Sequence, residues 1–386
     1  MHNWLLPEYI EDILPAAALR IEFMRRRILD LMRSHGYELV IPPLVEYLES
    51  LLSGSGHDMD LKTFKLVDQL SGRLMGLRAD ITPQAARIDA HLLNRRGVTR
   101  LCYSGPVMHT LPPGLGGSRE LLQIGAEIYG HGGLESDVEI QRLMLECLAV
   151  AGIGRVKLDL GHMGVFRALA AMAGLQDEAE SELFRALQSR DVPVLEALTA
   201  ELDAHVRAGL LALPGLYGGN EVLAKARRRL PGDPRIAHAL DDLERLSRSL
   251  GSLVPDLGLD LCEVRGYHYH SGVVFAAYAP GSAQALALGG RYDEVGKAFG
   301  RARPATGFSA DLRLLAQVAG PTPELSAVRA PHSEDPALAE KIRVLRAAGE
   351  IVVVELPGHD DPRDETRCDR ELALRDGKWE VVGLRP

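Results

Sequence analysis

Two segments that lie far apart in this chain constrain its fold more than any other feature. Residues 97–130 read GVTRLCYSGPVMHTLPPGLGGSRELLQIGAEIYG. Their apolar runs at 100–104 and 121–129 predict two strands around a loop rich in proline and glycine. Residues 289–315 read GGRYDEVGKAFGRARPATGFSADLRLL. This glycine-rich segment predicts a strand that leads into a helix from Phe308 to about Ala319.

Composition bounds the class of protein. A chain of 386 residues, 46% of them hydrophobic, can form one large core and one or two small domains. The formal net charge of −9 argues against a nucleic-acid-binding protein, which would usually carry a basic surface. Neither a zinc site nor a disulfide framework is expected, because the four cysteines lie far apart and form no CxxC pair: Cys102, Cys147, Cys262 and Cys368.

No segment of the sequence is typical of membrane insertion or secretion. The first residues, MHNWLLPEYIEDILP, lack the basic start and apolar run of a signal peptide. No stretch approaches the ~18 uncharged apolar residues that span a bilayer. We therefore expect a soluble, cytoplasmic protein without a membrane partner.

Composition along the chain indicates two units. Residues 163–250 are rich in Ala, Leu and Arg with helical periodicity, and prolines interrupt them at 193, 214 and 231, which predicts an all-helical insertion. Residues 320–336 are rich in proline and predict a linker. We expect a first unit over 1–320, which contains the insertion, and a small C-terminal α/β domain over 321–386.

The first helix is expected over residues 16–35. Leu19, Phe23, Ile28 and Leu31 are expected on one face, and Gly36 is a suitable residue to end the helix. An amphipathic helix of this kind would cover one side of the core.

Five motifs together resemble the catalytic domain of histidyl-tRNA synthetase, a class II aminoacyl-tRNA synthetase. They are LVIPPLVEY (39–47), LRADIT (77–82), QIGAEIYG (123–130), VRGYHYHSGVVF (264–275) and GGRYDEVGKAFG (289–300). The resemblance implies an α/β (α+β) fold with a mixed, mainly antiparallel sheet flanked by helices. It also implies a homodimer that forms through the first motif.

The resemblance further implies a binding site for histidine. Asp80 stands where the family has a Glu that holds the α-ammonium group, and Glu127 stands where an acid faces the imidazole. The family's Arg-Gly-Leu-Asp-Tyr-Tyr reads RGYHYH here, so His268 replaces the Asp and His270 replaces the second Tyr. The implied ligand-binding residues are Asp80, Thr82, Gln123, Glu127, Arg265, Tyr269 and His270.

Simpler roles remain open for several of these residues. Asp80 and Thr82 are good caps for a helix that begins at Pro83, and Thr82 could cap while Asp80 binds the ligand. Glu127 shares one strand face with Gln123, and that face could be solvated. Arg265 could pair with a bound carboxylate or with Glu127.

A metal site is not expected at this position. His268 and His270 lie two residues apart, and that spacing can bind a metal, with Cys262 nearby. A pair of histidines without a convincing third ligand is more often structural or ligand-facing.

The ATP side of the implied site has lost its charged residues. His109, Leu111 and Leu314 stand where the family has Arg, Glu and Arg. Enzymes that attack an α-phosphate need fixed positive charge where negative charge develops. We therefore expect no adenylate chemistry and no cofactor. Arg119 and Arg291 remain nearby, where ordinary salt bridges and nucleotide contacts are both possible.

The C-terminal residues point to one paralogous family. The synthetases end in a longer domain that grips the tRNA anticodon, whereas residues 321–386 are few and include the acidic loop GHDDPRDE (358–365). Three segments are similar to the tail of the regulatory subunits of ATP phosphoribosyltransferase, which is the first enzyme of histidine biosynthesis. They read PHSEDPALAEKI, VVVELPGH and DETRCDRELAL. That resemblance implies a non-catalytic chain that assembles with a short-form catalytic subunit, is required for its activity and confers feedback inhibition by L-histidine.

Two other functions share the same motifs but are disfavoured. A divergent histidine-activating enzyme of the synthetase type is disfavoured by the missing arginines. A module that senses tRNA is disfavoured by the acidic charge and the short tail.

Overall fold

The computed structural model describes residues 5–53, 57–112, 114, 117–263, 269–282, 284–320, 326–358 and 368–384. Two compact units divide the chain, Met1–Gly320 and Pro321–Pro386. The strands are β1 (Glu38–Leu39), β2 (Val45–Tyr47), β3 (Phe64–Val67), β4 (Leu74–Leu77), β5 (Thr99–Met108), β6 (Glu120–Tyr129), β7 (Lys157–His162), β8 (Tyr217–Gly218), β9 (Asp256–Asp260), β10 (Val273–Tyr278), β11 (Ala285–Arg291), β12 (Ala305–Asp311), β13 (Ala327–Ala330), β14 (Ile351–Val354), β15 (Cys368–Arg375) and β16 (Lys378–Gly383).

The helices of the described residues lie mostly in the first unit. They are α1 (Pro15–Ser34), α2 (Leu48–Leu52), α3 (His57–Lys62), α4 (Thr82–Arg87), α5 (Leu134–Val150), α6 (Met163–Met172), α7 (Asp177–Gln188), α8 (Val192–Leu198), α9 (Ala204–Ala212), α10 (Glu221–Arg229), α11 (Pro234–Leu250), α12 (Leu312–Val318) and α13 (Pro336–Ala347). A π-helical segment, Ile88–Leu93, continues α4. In the part of the chain that the structure describes, no helix is both long and apolar enough to cross a bilayer.

A nine-stranded sheet organises the first unit, in the order β1-β5-β6-β12-β11-β10-β7-β9-β8. The β1–β5 and β7–β9 pairs are parallel, and the other neighbouring pairs are antiparallel. Helices α1, α5, α6, α11 and α12 bury apolar side chains in the core beside this sheet. The predicted mixed, mainly antiparallel sheet flanked by helices is confirmed.

Helix α1 buries a face that matches the predicted one only in part. Its buried residues are Ile21, Met24, Ile28 and Met32, a spacing of three and four that forms one stripe. Leu19 and Phe23 lie on the opposite side and are each 44% exposed. Of the four predicted residues, Ile28 is buried and Leu31 packs against the core, so the prediction was wrong for Leu19 and Phe23. Apolar residues occur on both sides of this helix, and the sequence alone does not say which side faces the sheet.

Two further expectations were corrected. Residues 305–311 form β12, which pairs with both β6 and β11, so the helix predicted from Phe308 begins only at Leu312. Asp311 ends the strand and caps the helix, since its Oδ1 accepts the N–H of Arg313 at 3.1 Å. The insertion is not all-helical, because Tyr217–Gly218 forms the two-residue strand β8 at the edge of the sheet, beside β9.

The second unit has its own sheet and core. Its strands lie in the order β14-β13-β15-β16, and α13 packs on this sheet. Its core is formed by Val328, Ala330, Leu338, Ile342, Val352 and Leu372.

Candidate ligand-binding site

The floor of the site is formed where β6, β12 and β11 lie side by side. Glu127 of β6 is paired with Gly307 of β12, which in turn is paired with Gly290 of β11. A Cβ atom on Gly307 would collide with Oε2 of Glu127, and one on Gly290 would lie 2.7 Å from Nδ1 of His270. Glycine at both positions therefore leaves room for these two side chains on the sheet.

Glu127 is the centre of a buried network of hydroxyl groups. The Tyr103 hydroxyl donates to its Oε1 at 2.8 Å, and the Tyr292 hydroxyl donates to its Oε2. The Tyr103 oxygen also lies 2.9 Å from Oγ1 of Thr82. Glu127 is 1% exposed. Burial raises the pKa of Glu127 to about 8, although the two tyrosine hydroxyls act in the opposite direction. The carboxyl group is therefore mostly protonated at neutral pH.

Asp80 and Gln123 form a second, adjoining set of hydrogen bonds. Oδ1 of Asp80 accepts from the Thr82 N–H at 3.0 Å and from Nε2 of Gln123 at 2.8 Å. Oε1 of Gln123 accepts from the N–H of Ile81 at 2.9 Å. Asp80 therefore contacts the first residue of α4, while the Thr82 hydroxyl lies beside that of Tyr103.

Tyr269 and His270 close the network from the side of β11. The Tyr269 ring packs on that of Tyr292 with centroids 4.8 Å apart, and the His270 ring meets Tyr269 edge-on at 5.3 Å. The carbonyl of His270 accepts from Nη2 of Arg167 at 2.7 Å. Burial lowers the pKa of His270 to about 4, so its ring is neutral at physiological pH.

Six of the seven predicted site residues therefore share this region. A hydrogen bond links Gln123 to Asp80, and the Tyr103 hydroxyl links Thr82 to Glu127. The Tyr269 ring packs on that of Tyr292, and the His270 ring lies beside Gly290. The seventh, Arg265, lies outside the described residues, as does His268. Among the residues that the structure describes, no group of three or more His, Cys, Asp or Glu side chains is arranged to hold a metal ion.

Tyr103 and Tyr292 were missed by the sequence reasoning. Tyr103 lies opposite Gly125, which shares a strand face with Glu127 and Gln123, and a Cβ on Gly125 would come within 2.6 Å of the Tyr103 oxygen. Gly125 is a small residue between two polar residues on the same strand face. It was the signal in the sequence that a large side chain lies opposite it on the neighbouring strand.

A cavity of about 680 Å³ opens beside this network. Asp80 and Gln123 line it, together with His109 and Leu314. Nε2 of His109 lies 2.9 Å from the carbonyl oxygen of Ala79, and burial lowers the pKa of this histidine. A neutral ring and an aliphatic side chain thus occupy the two positions where phosphate-binding arginines were predicted to be missing.

The two arginines that the sequence placed near the implied ATP side have protein partners. Nη2 of Arg291 contacts Oδ2 of Asp137 at 2.6 Å, and both side chains are almost fully buried. Arg119 packs over the Phe64 ring at 4.7 Å and donates to the carbonyl of His109 at 3.4 Å. Of the described residues that line the cavity, Lys62 is the one Lys or Arg.

Residues 9–315 match the histidyl-tRNA synthetase family, and residues 325–382 match the ATP phosphoribosyltransferase subunit HisZ C-terminal domain. A regulatory subunit of ATP phosphoribosyltransferase from Ralstonia nicotianae is 60% identical over 381 residues, which cover 99% of this chain and 98% of that protein. One from Nitrosospira multiformis is 57% identical over 387 residues, with 99% and 98% covered.

The fold has a close counterpart among crystal structures. An ATP phosphoribosyltransferase regulatory subunit/histidyl-tRNA synthetase from Bacillus halodurans matches with a TM-score of 0.82 and 28% identity, and the match covers 94% of this chain and 95% of that one. The family resemblance predicted from the motifs is confirmed. The curated relatives carry the name of a regulatory subunit and not of a catalytic enzyme. The chain belongs to the family of ATP phosphoribosyltransferase regulatory subunits.

Proposed function

We propose that this chain assembles with a short-form ATP phosphoribosyltransferase catalytic subunit, is required for its activity and makes that activity sensitive to L-histidine. The names of the relatives support the class of function. One observation carries the effector part of the proposal. Hydrogen bonds within the protein hold Asp80, Gln123 and Glu127 in place, whereas the ATP side presents His109 and Leu314.

Histidine needs three kinds of partner in such a site. Its ammonium group needs an acid, and Asp80 forms no ion pair with any described residue. Its carboxylate needs a cation, for which we propose Arg265, outside the described residues. Its ring needs a group that can share a proton, for which we propose Glu127.

The proton balance supports Glu127 in this role. A free imidazole has a pKa of about 6.5, whereas the pKa of Glu127 is raised to about 8. Between these two values the ring is mostly neutral and the carboxyl mostly protonated, so together they already hold the one proton that an imidazolium–carboxylate pair needs. Histidine can therefore bind near neutral pH without taking up or releasing a proton.

We further propose that the chain forms a homodimer through the segment that contains β1. This short strand pairs on one side with β5 and lies at the edge of the large sheet. Leu39 is 50% and Ile41 is 82% exposed. An unpaired edge that carries exposed apolar side chains is a typical surface for a symmetric partner.

Reconstitution with a short-form catalytic subunit tests the proposal. We expect phosphoribosyltransferase activity to depend on this chain and to fall when histidine is added. In Glu127→Ala or Arg265→Ala, we measure the histidine concentration that halves the variant's own uninhibited rate. This concentration should be about tenfold or more higher than in the wild type. Glu178→Ala, at an exposed position on α7, is the control. If both site variants keep full histidine sensitivity, the effector site lies elsewhere.

A further inference from the structure

We infer that Arg167, a residue of the helical insertion, is a positioning residue for the proposed histidine site. Its guanidinium group holds the backbone of His270, so that histidine binding and the order of helix α6 depend on each other. This inference rests on the proposed function, because histidine is the ligand whose affinity Arg167 would set. It adds a residue that none of the five motifs contains, and it makes the insertion responsive to the effector.

The segment from His270 to Gly272 is anchored by hydrogen bonds on two sides. On the side of β11, the Ser271 N–H donates to the last carbonyl of that strand at 2.7 Å. On the side of α6, Nη2 of Arg167 donates to the carbonyl of His270 at 2.7 Å. The Met163 N–H, also in α6, donates to the carbonyl of Gly272 at 2.9 Å. The insertion therefore anchors both ends of this segment, and Arg167 acts at a proposed ligand-binding residue.

The Arg167 contact fixes the part of the backbone from which the His270 ring projects. A hydrogen bond from a charged donor is stronger than one between neutral groups, so the guanidinium group is an effective restraint on this carbonyl. The ring itself packs edge-on against that of Tyr269, with centroids 5.3 Å apart. Loss of the restraint would therefore let both side chains move away from the positions that a bound histidine needs.

The His270 ring has a free hydrogen-bonding position that a ligand can fill. Its Nδ1 is shielded from solvent and has no hydrogen-bond partner among the described residues. The ring is neutral, so Nδ1 can either donate or accept one hydrogen bond, according to the tautomer. A shielded polar atom without a partner is costly. A ligand that makes this hydrogen bond removes that cost and stabilises the backbone arrangement that Arg167 holds.

Helix α6 is packed tightly into the insertion. Phe166 and Leu169 are fully buried, and the Phe166 ring meets that of Phe184 in α7 with centroids 5.8 Å apart. At the start of α6, Nε2 of His162 lies 3.7 Å from Oδ2 of Asp242 in α11. Close-packed interiors transmit displacements because they deform little. A restraint on the His270 backbone is therefore also a restraint on the first turns of α6.

Calorimetric titration of the full chain with L-histidine tests the inference. Arg167→Met removes the donor but keeps a long side chain, and should raise the Kd for histidine about tenfold or more. Arg167→Lys keeps a charged donor and should recover part of the affinity. Arg235→Met is the matched control, because Arg235 lines the same cavity of about 460 Å³ as Arg167 but donates to Asp233. It should bind histidine as the wild type does.

Hydrogen exchange in the wild type separates positioning from a purely structural role. Saturating histidine should slow amide exchange in α6 at least about threefold, and by a larger factor than in α10, which belongs to the same insertion. A side chain that only supports the fold would give no preference for α6. Thermal unfolding establishes whether each variant is folded. If Arg167→Met is not, the exchange measurement decides alone, because it needs no variant.

Failure of this inference and failure of the proposed function give different results. If the wild type binds no histidine, the proposed histidine site is overturned together with the role of Arg167. If the wild type binds histidine and folded Arg167→Met binds it equally well, only the role of Arg167 is overturned. Equal slowing of exchange in α6 and α10 would overturn that role as well, and would leave the histidine site intact.

Discussion

The hydroxyl of Tyr103 donates a 2.8 Å hydrogen bond to Oε1 of Glu127, and no charged partner shares that oxygen among the described residues. The same hydroxyl lies 2.9 Å from Oγ1 of Thr82. One phenol thus joins the first residue of α4 to an acid in the middle of β6. The two sides of the proposed histidine site are therefore held at a fixed distance from each other.

Removing this hydroxyl should weaken both the fold and the site. Tyr103→Phe leaves Oε1 of Glu127 and the Thr82 hydroxyl without this partner in a buried place, which costs about 1–3 kcal/mol in the free energy of unfolding. Urea denaturation at pH 7 measures the loss. Tyr217→Phe is the matched control, because Tyr217 is 61% exposed, and it should change stability by less than about 0.5 kcal/mol. An equal effect of the two changes would contradict the role given to Tyr103.

Glu127 should make the protein less stable as the pH rises. Its pKa is raised from 4.5 to about 8 in the folded state, so between these values the folded state binds more protons than the unfolded state. The contribution is fully present below pH 4.5 and is lost as the pH rises through 8, with a slope of at most about 1.4 kcal/mol per pH unit.

Glu127→Gln should remove this slope, because glutamine does not titrate. Urea denaturation of both proteins at several values between pH 5 and pH 9 gives the difference in unfolding free energy. That difference should shift in favour of the variant as the pH rises, whereas Glu178→Gln should follow the wild type. A constant difference over the whole range would show that the pKa of Glu127 is not raised.

The sequence was informative where a residue's role depends on its near neighbours. Alternation along β6 placed Gln123 and Glu127 on one face, and the structure has both there. The partners of Glu127 were not predictable in this way, because Tyr103 and Tyr292 are 24 and 165 residues away in the chain. Which strands become neighbours decides these contacts, and periodicity does not contain that information.

The same limit explains the misplaced start of α12. The segment around Phe308 reads equally well as strand or helix when it is considered alone. Its pairing with β6 and with β11 on either side makes it a strand. Only the cap, Asp311, is a local signal, and it lies where the helix begins.

Purified chain should not catalyse histidine-dependent exchange between ATP and pyrophosphate. The position predicted for an α-phosphate arginine holds His109, which is bonded to the backbone of Ala79 and has a lowered pKa. The position predicted for a γ-phosphate arginine holds Leu314. Neither of these two side chains supplies the fixed positive charge that would stabilise the transition state at a phosphate. Radiolabelled pyrophosphate exchange is the measurement, with a histidyl-tRNA synthetase run in parallel, and robust exchange would refute the regulatory function.

The chain should be a dimer before it meets a catalytic subunit. Light scattering at micromolar concentration should give twice the mass of one chain for the wild type. Ile41→Asp should shift the mass toward that of a monomer, because a charge would be buried at the proposed interface. Leu70→Asp is the control, since Leu70 is 95% exposed and lies outside the β1 segment. A stable wild-type monomer would rule out this interface.

The glycine floor gives the sharpest test of the geometry around Glu127. Gly307→Ala places a methyl group where Oε2 of Glu127 now lies, so the carboxyl group must move away from the Tyr292 hydroxyl. We expect a loss of about 1–3 kcal/mol in unfolding free energy and about a tenfold loss of histidine sensitivity in the reconstituted assembly.

Two further variants separate this clash from a general effect of replacing glycine. Gly154→Ala is the control, because nothing lies within 4 Å of a Cβ atom at that position, and it should not destabilise the protein. Glu127→Asp added to Gly307→Ala withdraws the carboxyl group by one methylene and should recover part of the lost stability. The loss of unfolding free energy caused by Glu127→Asp is measured in the wild type and again in Gly307→Ala. If the two losses are equal, the two positions act independently. The contact between Glu127 and the glycine floor would then have no energetic role.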